Sequence, residues 1–406
     1  MTSVGPHFRP TLARIDLQKI ASNFDRLRSS VAPTTFICPM VKANAYGHGD
    51  IAIARKLRSL HAKHLGVGLV EEGLHLRESG DKGSILHFGL YDHQALEAMI
   101  QKTITPVVSS IEQLELLIKS ATLKSSEKNF QPIDFHLKFN TGMNRLGIGQ
   151  GDWSRAIQMI APFGGPSGQS PLRLSGVCTH FSDGDDFGSK GRTEIQLLQL
   201  KKALGLLASA GLGGFQIHVS NSSAAGARMK KSKLSDFDES SLADSSGCLG
   251  LRPGLAIYGG EPGFLPALEF LSRIVLIQDV RQGERVSYGG RWTASRNSKI
   301  GVVPCGYADG FRRGLNNQQQ AQVIVRGRKV AVIGAICMDY FMCDLTEVQE
   351  AMLGDQVVMI GTSEGVSLTA NDLADEAKTI PYEIFTGISE RVPRLYVDGE
   401  PSVSVI

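Results

Sequence analysis

A chain of 406 residues with 42% hydrophobic and 20% charged side chains has ample material for a core, and it is long enough that two domains are expected. A net charge of +3 is nearly balanced and gives no support for nucleic-acid or membrane-surface binding. The six cysteines (Cys38, Cys178, Cys248, Cys305, Cys337, Cys343) are scattered without a close Cys-x-x-Cys pair, several of them in apolar runs. That is the pattern of free buried thiols rather than of disulfides or a zinc site, so no metal is expected. The opening residues Met1 to His7 show neither the basic nor the apolar region of a signal peptide. No apolar run is long enough to span a bilayer, and a cytoplasmic protein is expected.

In chain order, Thr11 to Asp16 alternates as a short strand, with Asp16 placed to cap a helix over 17–29 where Ile20, Phe24 and Leu27 recur at helical spacing. Strands follow at 35–41 (weakened by Pro39), 64–70, 84–88, 103–108, 133–139, 174–179, 215–219 and 248–251. They alternate with helical patterns at 48–61, 72–78, 92–101, 111–119, 152–162 and 192–210. Strict alternation at the ~30-residue spacing of βαβ units argues for a parallel sheet. Eight repeats favour a (β/α)8 barrel, with a doubly wound open sheet as the rival. The polar runs 124–129 and 164–168 read as loops. The Ser/Asp/Lys-rich run 229–247 reads as a long mobile loop without a legible role. From about residue 270, short strands at 274–280, 300–304, 322–325, 330–333 and 356–360, separated by turn signals such as Arg326-Gly327, indicate a second, mainly β domain. The expected division is a barrel over 13–269 and a mainly β domain over 1–12 and 270–406.

Lys42 stands at the end of the apolar run 35–41 and is followed by Ala43, Asn44, Ala45, Tyr46, Gly47, His48 and Gly49. A snorkelling surface lysine is the bland reading. A functional amine at the carboxyl end of a strand, where α/β folds place their chemistry, is the sharper one. Four other segments end strands or turns with polar groups: Lys138 to Ile148, Gly176 to Phe181, His218 to Ala224 and Leu251 to Gly259. A solvated loop, a structural histidine or a serine N-cap would explain each singly.

Together these segments resemble the alanine racemases, fold type III enzymes that use pyridoxal 5′-phosphate. The similarity runs in order from Arg9-Pro10-Thr11 to Arg394. It implies that Lys42 forms the Schiff base with the cofactor aldehyde, that Tyr46 lies nearby, and that Arg145 contacts the phenolic oxygen and substrate. Lys138, often carbamylated in the family, would steady Arg145, and His180 would stack on the pyridine ring. Arg252 would bond the ring nitrogen, while Asn221, Ser222, Gly254, Leu255 and Tyr382 would hold phosphate. The Arg285 to Gly290 segment implies Tyr288 as a second catalytic base, delivered by a partner subunit in a homodimer. Tyr307 and Arg313 would line substrate access, and Met338, next to Asp339, would bind the substrate carboxylate through its backbone. Two positions depart from the family: Asn140 replaces the usual Asp, and Ala335 stands where an Arg often precedes Ile336-Cys337-Met338-Asp339. The implied activity is two-base interconversion of L- and D-alanine, supplying D-alanine for peptidoglycan, with Lys42 on the D face and Tyr288 on the L face. Serine or broader racemisation stays open. A decarboxylase of similar design is disfavoured by Arg252, and a non-enzymatic pyridoxal-phosphate carrier would not need Tyr288.

Overall fold

The computed structural model describes residues 8–128, 130–163, 170–183, 191–220, 249–316 and 321–399. The chain opens on β1 (Leu12–Asp16), and Asp16 caps the helix Leu17–Ser29 by accepting the Gln18 and Lys19 amides at 2.9 and 3.1 Å. Seven parallel strands follow in sequential spatial order: β2 (His64–Val67), β3 (Ser84–His87), β4 (Thr105–Val108), β5 (Ile133–Lys138), β6 (Leu172–Cys178), β7 (Gln216–Ser220) and β8 (Gly250–Leu251). All but the first residue of β2, β3 and β4 are buried, as expected for strands covered on both faces.

Residues 36–41 supply the eighth stave and close the ring. Cys38 and Leu251 exchange backbone bonds with this seam (Cys38 N to Leu251 O 2.9 Å, Leu251 N to Phe36 O 2.8 Å). On the other side Val41 N reaches Gly66 O at 2.8 Å and Gly66 N reaches Pro39 O at 2.9 Å. The expected strand over 35–41 is present only as bridges at Ile37 and Met40, because Pro39 has no N–H to give to a ladder. The barrel, rather than an open doubly wound sheet, is therefore the fold. Inside it Phe36 stacks on His218 (4.6 Å between centroids) and lies 4.6 Å from His64 and 5.9 Å from His136. Glycines clear this space: a Cβ on Gly176 would strike the His136 ring, and one on Gly250 would come within 3.0 Å of Phe36.

The second unit is built on a 10-stranded sheet. After β1, its strands are β9 (Leu268–Arg273), β10 (Leu276–Val280), β13 (Ser298–Val303), β14 (Gln322–Val325), β15 (Arg328–Ile333), β16 (Phe341–Asp344), β17 (Gln356–Ser363), β18 (Val366–Leu368) and β19 (Arg394–Val397). The short arms β11 (Arg285–Val286) and β12 (Trp292–Thr293) pair separately. By internal contacts the chain divides into a β unit (residues up to Ser22, Tyr46–Gly49 and Tyr258 onward) and a barrel unit (Asn23–Ala45 and Asp50–Ile257). Residues 13–16 belong to the β unit because they pair antiparallel with β9 and parallel with β19. Among the described residues no helix is long and apolar enough to cross a membrane. The loop 229–247 lies outside the described residues.

Candidate active site

In the barrel unit, Lys42 follows the closing stave directly and begins a left-handed turn. Ala43, Asn44 and Ala45 have φ/ψ near 51/53°, 53/47° and 51/51°, and Tyr46 continues with φ 53°. L-residues pay about 1–2 kcal/mol each for this conformation, so the turn has to be held by its surroundings. Lys42 is exposed in the single chain but partly desolvated by its neighbours. Burial first, then the Arg145 charge, pulls its pKa below the usual lysine value, with Glu72 opposing.

Lys138, at the end of β5, is buried, and its pKa is lowered to about 8 by burial and by Arg252, Arg145 and Lys42. Arg145 is exposed on a loop that folds back on itself. Asn140 N bonds Ile148 O at 2.9 Å, Ile148 N bonds Lys138 O at 2.8 Å, and the Asn140 side-chain oxygen accepts the Gly142 and Asn144 amides at 3.1 and 3.0 Å. Asn140 also donates to the Asn144 side chain at 3.0 Å, a donation that a carboxylate could not make, so the departure at this position is locally satisfied.

Arg252 is 5% exposed and lies between two histidines. One guanidinium nitrogen meets His218 Nδ1 at 2.7 Å and His218 O at 2.6 Å. The other meets Thr179 O at 2.6 Å and His180 Nδ1 at 3.2 Å. Arg252 also lies 5.6 Å from the Phe88 ring centroid. Beyond it, His218 Nε2 lies 2.7 Å from His136 Nδ1. Arginine only donates, so the nitrogen facing it on each histidine must accept. That assigns the proton of His218 to Nε2, from which it is donated to His136, and the proton of His180 to its own Nε2. Burial and the Arg252 charge hold His180 and His218 well below the usual imidazole value. Burial foremost, then the charge on His64 and Arg252, lowers His136 to about 3. The chain of rings is thus neutral and directional.

Gly254 precedes the four-residue helix Leu255–Tyr258, and Leu255 is buried. Asn221 and Ser222 lie outside the described residues.

The remaining expected residues are in the β unit. Tyr288 starts a tight turn between the arms β11 and β12 and is 74% exposed. The turn is fixed beneath it: Ser287 (φ 66°) donates its hydroxyl to Ala335 O at 2.8 Å, and Gly290 N bonds Ser287 O at 3.0 Å. Tyr288 borders an open depression of about 720 Å³ together with Arg285, Ile300, Val302, Cys337 and Met342. Tyr307 N bonds Cys337 O at 3.0 Å, and Ala308 N bonds Met338 O at 3.1 Å, which ties the Tyr307 and Met338 segments together. Fully buried Asp309 anchors them, bound by the two terminal guanidinium nitrogens of Arg9 at 2.9 and 2.7 Å and by Gly306 N at 3.0 Å. Asp339 accepts from Arg391 at 2.7 Å. Arg313 is exposed, and its neighbour Arg312 pairs with Glu383 at 2.6 Å.

Tyr46 stacks on Tyr258 at 4.9 Å, with Tyr382 5.7 Å from Tyr46. Burial pushes the Tyr382 phenol up to about 12. Arg394 donates to Gly47 O at 3.1 Å and to Ser389, Val392 and Ile388 carbonyls at 2.5 to 2.6 Å, giving this arginine a structural task.

The structure thus brings Lys42, Lys138, Arg145, His180 and Arg252 within one electrostatic neighbourhood in the barrel unit. It groups Tyr288 with Cys337 along one depression, and Tyr307 with Met338 through their backbones. His136 and the role of His218 escaped the sequence reading. The available signal was that His136 stands two residues before Lys138 and so shares its face of β5. Among the described residues no group of three or more His, Cys, Asp or Glu is placed to hold a metal ion.

Two family models match the chain: alanine racemase, N-terminal domain, over residues 15–262, and alanine racemase, C-terminal domain, over 267–396. Alanine racemases of Thermodesulfovibrio yellowstonii and Geobacter sulfurreducens are each 34% identical, over 96% and 97% of this chain and 98% of theirs. Among solved structures, alanine racemase of Clostridium difficile 630 superposes with a TM-score of 0.82 at 30% identity, covering 97% of each chain. That of a D-cycloserine-producing Streptomyces lavendulae gives 0.83 at 30%, covering 97% of this chain and 99% of the other. The chain belongs to the alanine racemase family.

Proposed function

We propose that this protein is an alanine racemase that binds pyridoxal 5′-phosphate and interconverts L- and D-alanine as a homodimer, with Lys42 and Tyr288 as its two bases. The donor set in the barrel unit fits the cofactor. An amine with a lowered pKa suits an aldehyde, and a buried guanidinium suits the pyridine nitrogen. Backbone amides of Gly254 and Leu255 at a helix start suit phosphate. When bound, pyridoxal 5′-phosphate supplies an electron-withdrawing system that acidifies the substrate Cα–H.

The observation that carries the reading is the directional bonding of Arg252. A cation at the ring nitrogen opposes its protonation and keeps the electron sink weak, which favours returning the proton to the same carbon over side reactions. An acidic residue there, as in the decarboxylase alternative, would do the opposite. Because Arg252 occupies Nδ1 of His180, the Nε2–H of His180 is left to donate, and the oxygen of a Tyr288 delivered by the partner subunit would accept it.

Racemisation removes a proton on one face and returns one on the other, which a single fixed base cannot serve. Lys42 takes the D face, its pKa lowered by burial and the Arg145 charge, and Tyr288 takes the L face. The high exposure of Tyr288 in the single chain supports its delivery to a partner's barrel. By resemblance, Tyr46, Tyr382, Asn221 and Ser222 would hold phosphate, and burial keeps the Tyr382 phenol protonated up to about 12. Arg145 and the Met338 amide take the substrate carboxylate. Tyr307, Arg313 and Asp339 shape the access to it. Lys138, with its pKa near 8, is partly neutral at pH 7 and therefore open to carbamylation, which would give Arg145 an anionic partner.

Incubating the purified protein with pyridoxal 5′-phosphate and L-alanine tests the reading. D-alanine without CO2, from a yellow protein that borohydride bleaches, is expected. CO2 release would make it a decarboxylase, and neither product would remove the enzymatic reading.

A further inference from the structure

Something must hold four consecutive left-handed residues immediately after Lys42, and Glu72 is placed to do so. It is the third residue of the helix Val70–Glu78, and one carboxylate oxygen closes that helix's first turn by accepting the Gly68 and Leu69 amides at 2.8 and 3.0 Å. An ordinary capping glutamate ends there. Here the other oxygen reaches 29 residues back to accept the Ala43 amide at 2.6 Å, at the first left-handed position. The Lys42 stem passes the same spot: a Cβ on Gly68 would lie 3.5 Å from Lys42 Cδ and 3.7 Å from the Glu72 carboxylate. The second left-handed residue is fastened separately, by Asn44 accepting the Asp50 amide at 2.9 Å while Asp50 holds His75 at 2.8 Å.

We infer that Glu72 is a positioning residue for Lys42: its carboxylate fastens the left-handed turn to the neighbouring barrel loop and sets where the amine points. The inference rests on the reading of Lys42 as the cofactor amine. Glu72 is also the anion that opposes burial and Arg145 in setting the Lys42 titration, and Lys138, His180 and Arg252 are the other titratable or charged groups of that neighbourhood.

The test uses the full chain as Glu72→Gln and Glu72→Ala, with Glu71→Gln as the control. Two quantities are read: backbone amide exchange over 42–49 without cofactor, and the pH dependence of the rate at which added pyridoxal 5′-phosphate develops Lys42-dependent visible absorbance. Glu72→Gln is expected to speed exchange at Ala43 tenfold or more. It should also move the pH midpoint down by roughly one unit, because removing an anion disfavours the ammonium. Glu71→Gln should change neither. A lower Tm with both readouts unchanged means a purely structural cap and overturns the inference. Ala43→Gly in the Glu72→Gln background, where glycine adopts the φ of 51° at little cost, should recover stability; no recovery also overturns it. If the wild-type protein develops no such absorbance, the cofactor reading fails, while the exchange measurement still decides whether Glu72 holds the turn.

Discussion

The interior of the barrel and the loop cluster of the β unit treat their reactive groups in opposite ways. In the barrel, His136, His218, Arg252 and His180 are joined by hydrogen bonds from the protein itself, and their tautomers follow from one arginine that can only donate. In the β unit the backbone under Tyr288 is fixed by Ser287 and Ala335, but Tyr288 itself stands exposed. One half of the chemistry is therefore pre-organised within the chain. The other is a rigidly mounted, exposed group, as the proposed delivery of Tyr288 to a partner subunit requires.

The comparison is broken most sharply at the amine. Lys42→Ala should abolish Lys42-dependent absorbance and cost roughly 10⁴-fold in both directions of racemisation. Retained absorbance would place the anchor elsewhere. Next, Tyr288→Phe should keep the cofactor absorbance and cost on the order of 10²–10⁴-fold, chiefly from L-alanine. Wild-type rates in both directions would remove Tyr288 from the mechanism. A smaller effect is expected at His218, which touches no reactant. His218→Leu should remove the ring acceptor on one side of Arg252 and lower kcat roughly tenfold, and it should move the pH profile of the rate through the loss of His180 orientation. An unchanged pH profile would reduce the ring chain to packing.

The last prediction concerns stability. The Lys138 pKa falls from 10.5 to about 8 on folding, so below pH 8 the native state pays for leaving or burying that proton, and the penalty fades as pH rises to 10.5. In carbonate-free buffer Lys138→Met should therefore be more stable than wild type at pH 7, by at most on the order of 3 kcal/mol, with the advantage gone by pH 10.5. Denaturant unfolding at the two pH values checks this, and an advantage that grows with pH would contradict it.

The order of strands and helices was legible because the alternation of period-2 and helical patterns is local. The cap at Asp16 could be read for the same reason. The pairing of β1 with β9 and β19 was not legible, because both partners are far away in sequence. Site residues announced by a strand end, such as Lys42 and His180, could be singled out. The groups that act through them could not. Glu72 reads as one charge on a helix start, and His136 as one polar residue in a strand, because their partners are 29 and 82 residues away in sequence. The left-handed turn was equally invisible: Ala43, Asn44 and Ala45 carry no glycine to signal a positive φ.

The shared site is tested most directly by mixing two inactive proteins. Lys42→Ala and Tyr288→Phe homodimers, dissociated and reassociated together at equal amounts, should recover about a quarter of wild-type activity. Half the dimers would then be hybrids, each with one intact pairing of amine and phenol. No recovery, from chains shown to have exchanged, would mean that both groups act within one chain and would contradict the account.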